Sequence, residues 1–278
     1  MKRSAARWGQ VRQWPFWVWF GLTALVTLAG CASHPGAPGA SGSRADIVTE
    51  SDEPEVRKRA RIRLELAVGY FNQGQTTVAL DEVKQSLVID PAFGDAYNLR
   101  GLIYMRLNDP RMAEDSFRRA MALNPRDANT LHNYGWLQCQ QGRYPEAIQL
   151  FTQALSDPSY GDRAKTLMAQ GLCQMRAGQA AEAERSLFRS YELDAANPIT
   201  GYNLAMLLFQ RGDLVRAQFY IRVLNNSELA NSESLWLGIK IERRRENREA
   251  MMQLADQLRK RFPQSKELSS YDRGAFDE

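Results

Sequence analysis

Cysteine and histidine are the scarce reactive residues of this chain, with three Cys and two His among 278 residues. Cys139, Cys173 and His132 lie close enough along the sequence to invite a chemical reading. A cysteine pair can close a disulfide or hold a metal, and a histidine can act as a base if a nucleophile stands beside it. No hydrolase motif with a Ser or Cys flanks His132. Cys139, Cys173 and His132 together lack the fourth protein ligand of a structural zinc site, so no metal is expected. The glycines form no phosphate-cradling loop, and the acidic residues are dispersed. The expectation is a non-enzymatic protein with no cofactor and no small-molecule substrate. What the two cysteines do depends on the elements that carry them.

The third cysteine, Cys31, has a different setting. Lys2, Arg3, Arg7 and Arg12 make a positive start, and an uncharged, mostly apolar run from Trp14 to Gly30 follows. This is the form of a secretory signal. Its ending, Leu28-Ala29-Gly30-Cys31, resembles the bacterial lipobox, which implies cleavage before Cys31 and lipidation there. An uncleaved transmembrane helix is the competing reading, but the run falls short of the ~20 residues of a span. Ala32 replaces the Asp associated with inner-membrane retention, so the expected location is the outer membrane, lipid-anchored and facing the periplasm. The leader also accounts for the charge. The chain carries 36 Lys+Arg against 32 Asp+Glu, and four of the basic residues lie in the leader. The remainder is neutral and supports no nucleic-acid partner. Residues 32–50 are rich in Gly, Pro and Ser and read as a tether; His34 within it is inert.

A small residue followed twelve positions later by Ala recurs six times: Ala67/Ala79, Gly101/Ala113, Gly135/Ala147, Gly171/Ala183, Ala205/Ala217 and Gly238/Ala250. Successive pairs stand 34, 34, 36, 34 and 33 residues apart, the length of a helix–turn–helix unit of the tetratricopeptide type. The expected fold is therefore all-α, a right-handed superhelix of six such repeats. The domains are a leader at 1–30, the lipidated cysteine and tether at 31–52, six units within 53–264 (about 60–93, 94–127, 128–161, 164–197, 198–230 and 231–264), and a polar tail at 265–278. Gly74, Gly142, Gly178 and Gly212 occupy the turn between helices, with Asn108 and Asn247 in that place in units two and six.

Stacked units present their first helices to a concave groove. The residues expected to line it are apolar: Leu64, Val68 and Phe71, Leu102 and Met105, Trp136, then Met168, Leu172 and Met175, and Tyr202, Met206 and Phe209. Such a lining suits a peptide or amphipathic segment. The competing possibility is that these residues are half-buried and extend the core. Cys139 and Cys173 fall on neighbouring first helices in an oxidising compartment. A disulfide is expected there, with two buried thiols as the alternative.

Four blocks narrow the family. They are Asp95-Ala-Tyr-Asn-Leu-Arg-Gly-Leu-Ile-Tyr104, Asn133-Tyr-Gly-Trp-Leu-Gln-Cys139, Phe151-Thr-Gln-Ala-Leu-Ser-Asp-Pro-Ser-Tyr160 and Leu235-Trp-Leu-Gly-Ile-Lys-Ile-Glu-Arg243. With the lipobox and six units, they resemble the PilW/PilF family of type IV pilus biogenesis and stability lipoproteins. The resemblance implies a pilotin, which helps the secretin subunit of the pilus machinery reach the outer membrane and form its ring. A general periplasmic lipoprotein adaptor that recruits proteases or cell-wall enzymes is the alternative.

Overall fold

The computed structural model describes residues 52–277; the leader, Cys31, nearly all of the tether and the final residue lie outside the described residues. Within them the chain forms thirteen helices and no strand. Six antiparallel pairs follow one another: α1 (Glu55–Asn72) with α2 (Thr76–Ile89), α3 (Gly94–Arg106) with α4 (Pro110–Leu123), α5 (Ala128–Gln140) with α6 (Tyr144–Leu155), α7 (Arg163–Arg176) with α8 (Ala180–Leu193), α9 (Pro198–Arg211) with α10 (Leu214–Asn225), and α11 (Ser232–Arg244) with α12 (Arg248–Arg261). A short helix, α13 (Lys266–Asp272), follows.

Helix starts are written locally. Asp109, Asp127, Asn197 and Asn247 each accept a backbone N–H in the first turn of α4, α5, α9 and α12. Pro110 and Pro198 stand in the first turn of α4 and α9, where no intrahelical N–H is needed. Asn231 and Ser234 make a reciprocal capping box at α11. The turns within each pair require positive φ. Gly74, Gly142, Gly178 and Gly212 supply it at φ between 73° and 85°, Asn108 at 57° and Glu246 at 60°.

Those turn residues stand 34, 34, 36, 34 and 34 apart. This corrects the sixth unit. Asn247 is not the turn residue; it caps α12, and Glu246 makes the turn. Gly238/Ala250 is accordingly one residue out of register. The other five Ala partners are fully buried, whereas Ala250 is half-buried. The residue in register with Gly101 is Ile239, fully buried against Ala255 and Leu258.

The true constraint is a pair sixteen residues apart. A Cβ on Gly101 would lie 2.5 Å from the Phe117 ring, one on Gly135 2.9 Å from Phe151, and one on Gly171 2.7 Å from Leu187. Ala67 with Val83 and Ala205 with Ile221 complete the small–large series in their clusters. Unit six inverts it, with large Ile239 facing small Ala255. Gly238 instead makes room for the previous unit, since its Cβ would lie 2.7 Å from Asn225.

First helices touch the first helices of the next unit, while second helices touch only first helices, save α12 against α13. The stack therefore curves with its first helices inside. The polar tail expected over 265–278 is a further correction. Ser265 caps α13, Leu268 is buried, and Tyr271 and Phe276 pack beside Trp236, so this segment closes the last unit. The tail is polar on average, but its few apolar residues fall on one face.

Gly101→Ala is expected to lose about 1–3 kcal/mol in urea unfolding, although alanine is the better helix former. Shrinking the facing ring with Phe117→Leu should recover part of that loss. Gly69→Ala, where an added Cβ meets nothing within 4 Å, should instead gain about 1 kcal/mol.

Candidate functional site

The inner face carries the groove candidates, and the structure separates them. Leu64, Phe71, Leu102, Met105, Trp136, Met168 and Leu172 are half-buried, and Val68 is 40% exposed. Leu64 and Phe71 pack on the cluster of Ala67 and Ile103. Leu102 and Met105 pack on the cluster that holds Phe117 and, from the next unit, Leu131 and Tyr134, and Met168 on the cluster of Leu204 and Leu208. Phe209, expected in the lining, is only 9% exposed. The row is thus the upper edge of the core rather than an open apolar trough.

Arginines supply much of what remains at the surface. Arg106 lies 3.7 Å over the Phe71 ring, Arg176 5.2 Å over Trp136, and Arg244 4.4 Å over Phe209. In each case the cation comes from the last turn of a first helix, or its final residue, and covers an aromatic of the preceding unit. Arg106 also donates to the Phe71 carbonyl. A tally of apolar residues alone overlooks these cations; basic residues ending first helices were the available signal.

Cys139 and Cys173 are joined in a disulfide between α5 and α7, with Cα atoms 5.7 Å apart. Both are fully buried, packed with Ala147, Phe151 and Ala169, with Trp136 alongside. The bond spans the two-residue insertion between α6 and α7. There Arg163 donates to the carbonyls of Leu155 (2.8 Å) and Asp157 (2.9 Å), which closes the end of α6. Tyr160 turns inward and is buried. Its hydroxyl meets Thr166 Oγ1 at 3.1 Å, and Thr166 Oγ1 meets His132 Nδ1 at 2.8 Å. A neutral imidazole accepting at Nδ1 lets both hydroxyls donate along this chain. His132 is therefore a buried structural residue, its ring 5.9 Å from that of Phe151. Among the described residues, no group of three or more His, Cys, Asp or Glu is placed to hold a metal ion.

Burial, helped by the Lys165 charge and opposed by Asp162, pushes His132 down from its ordinary 6.5 to about 4. The unfolded chain takes up this proton as pH falls below 6.5 while the folded protein resists it. The stability attached to His132 is therefore complete above pH 6.5 and declines as pH falls toward 4. Between pH 7 and pH 5 the wild type should lose about 2 kcal/mol more unfolding free energy than His132→Gln. Replacing both cysteines with Ala should cost roughly 3–4 kcal/mol on the loop-entropy model. Dithiothreitol without denaturant should leave the buried bond intact, as mass spectrometry after thiol alkylation would show.

Comparison with known proteins places this scaffold. Tetratricopeptide repeat models match residues 92–157, 135–198 and 198–218. The type IV pilus assembly protein PilF of Pseudomonas aeruginosa is 28% identical over 246 residues, covering 88% of this chain and 94% of the relative. The solved structure of Pseudomonas aeruginosa PilF superposes with a TM-score of 0.72 at 28% identity, covering 78% of this chain and 99% of that one. The crystal structure of PilW, described as a widely conserved type IV pilus biogenesis factor, gives 0.70 at 30% identity, covering 77% and 98%. YrrB, a tetratricopeptide protein with a peptide-binding site, shares the fold alone at 17% identity and a TM-score of 0.56. With 98% of the PilW chain matched at 30% identity, the chain belongs to the PilF/PilW family of tetratricopeptide proteins of type IV pilus biogenesis.

Proposed function

We propose that this protein is a non-enzymatic pilotin, an assembly factor for the type IV pilus secretin. It is held at the outer membrane by lipid on Cys31 and works in the periplasm. The observation that carries this reading is the match to PilF and PilW along 98–99% of their solved chains. A partner segment docks on the first two units. Val68 is the exposed member there, and Leu64, Phe71, Leu102 and Met105 give it a half-buried apolar floor. Beside it on α1, Ile62 and Leu66 are 58% and 45% exposed. They border a depression of about 400 Å³ with Glu65, Gly69 and Tyr70. An apolar stripe on the partner gains the usual burial free energy there, about 25 cal/mol per Å².

Val68→Glu is the sharpest test, because an exposed side chain can be changed with a stability cost of about 0.5 kcal/mol or less. The variant should keep its melting temperature and lose secretin crosslinking in outer membranes. Retained crosslinking with the fold intact would remove this surface from the account. Cys31→Ser should shift the protein from the membrane to the soluble periplasmic fraction. Deleting the gene should abolish surface pili and secretin multimers with normal cell shape. Normal piliation with an altered envelope would favour the general adaptor reading.

A further inference from the structure

The far end of the inner face holds a second, chemically distinct cavity. It has a volume of about 570 Å³ and is lined by Phe209, Lys240, Arg243, Arg244, Phe276 and Asp277. Its size is that of ordinary ligand sites. Among the described residues of its lining, three cations face one carboxylate. Among the described residues none of Lys240, Arg243 and Arg244 is ion-paired. Each lies over an aromatic ring instead: Lys240 at 5.5 Å from Trp236, Arg243 at 3.9 Å from Phe276 and Arg244 at 4.4 Å from Phe209. The rings fix the positions of the cations and leave their donors available.

The segment after α13 forms one wall of the cavity. Gly274, at φ 70°, reverses the backbone after α13, and Phe276 stacks on Trp236 at 5.3 Å. Asp277 is thereby brought to the cavity wall, the single carboxylate in its lining among the described residues. Lys240 is driven below its ordinary value first by burial and then by the Arg244 charge, and Asp277 only partly offsets this. The cations repel one another, and among the described residues Asp277 is the one carboxylate in the lining that balances them.

We infer that this cavity binds an acidic segment of a partner protein, whose carboxylates enter between Lys240, Arg243 and Arg244. A peptide is favoured over a free anion because the walls are aromatic and a resident Phe-Asp pair already lines them. The site lies on units five and six and the closing segment, apart from the surface on the first two units, and does not depend on the pilus reading.

The test uses the full chain in detergent and a fluorescein-labelled heptapeptide with four Asp or Glu residues around one Phe. Fluorescence anisotropy should show saturable binding that weakens with added salt. The Asn/Gln counterpart of the peptide should bind at least tenfold more weakly. Lys240→Gln and Arg243→Gln, singly and together, should each weaken binding, the pair by tenfold or more, with helical circular dichroism unchanged. Lys84→Gln on the outer helix α2 should have no effect. No binding, equal binding of the neutral peptide, or wild-type affinity in the folded double variant would overturn the proposal. Competition by inorganic phosphate as effective as that by unlabelled acidic peptide would also overturn it, leaving a simple anion site.

Discussion

Everything in this molecule depends on two helices crossing at near backbone contact within each unit. At Gly101, Gly135 and Gly171 a single added methyl would collide with Phe117, Phe151 or Leu187. The constraint is one of summed volume, since unit six meets it with Ile239 against Ala255. Each crossing fixes the angle of its pair, each pair sets the platform for the next, and the curvature of the inner face accumulates from there.

The two-residue insertion before α7 is the one break in this regularity. An unsupported break would let units three and four rotate against each other. The Cys139–Cys173 bond and the buried chain Tyr160–Thr166–His132 both cross it. One is covalent and the other is directional hydrogen bonding, and both sit in the layer where the first helices meet. His132, chemically the most suggestive residue in the folded part, is thus absorbed by packing.

Polar chemistry is distributed unevenly along the inner face. Near the first units apolar side chains stay partly open, and at the last units arginines, a lysine and the closing segment dominate. The arginines over Phe71, Trp136 and Phe209 make the surface amphipathic. The stems and rings are buried, and the charges stay at the rim. The two ends of the scaffold therefore offer different chemistry on one stack of repeats.

Repeat number, helix order and the all-helical class were legible in the sequence, because a period near 34 and small residues in register follow from backbone geometry that each unit satisfies locally. Caps such as Asp127 and turn residues such as Gly142 are local for the same reason. Tertiary structure decided what is non-local. It put Ile239 rather than Gly238 at the sixth crossing, since register is read from the turn and not from residue size. It folded a nominally polar tail onto Trp236, because a few apolar residues on one face outweigh average composition. It half-buried most of the expected groove and laid arginines across the rest, since the exposure of a first-helix residue depends on what the next unit places over it.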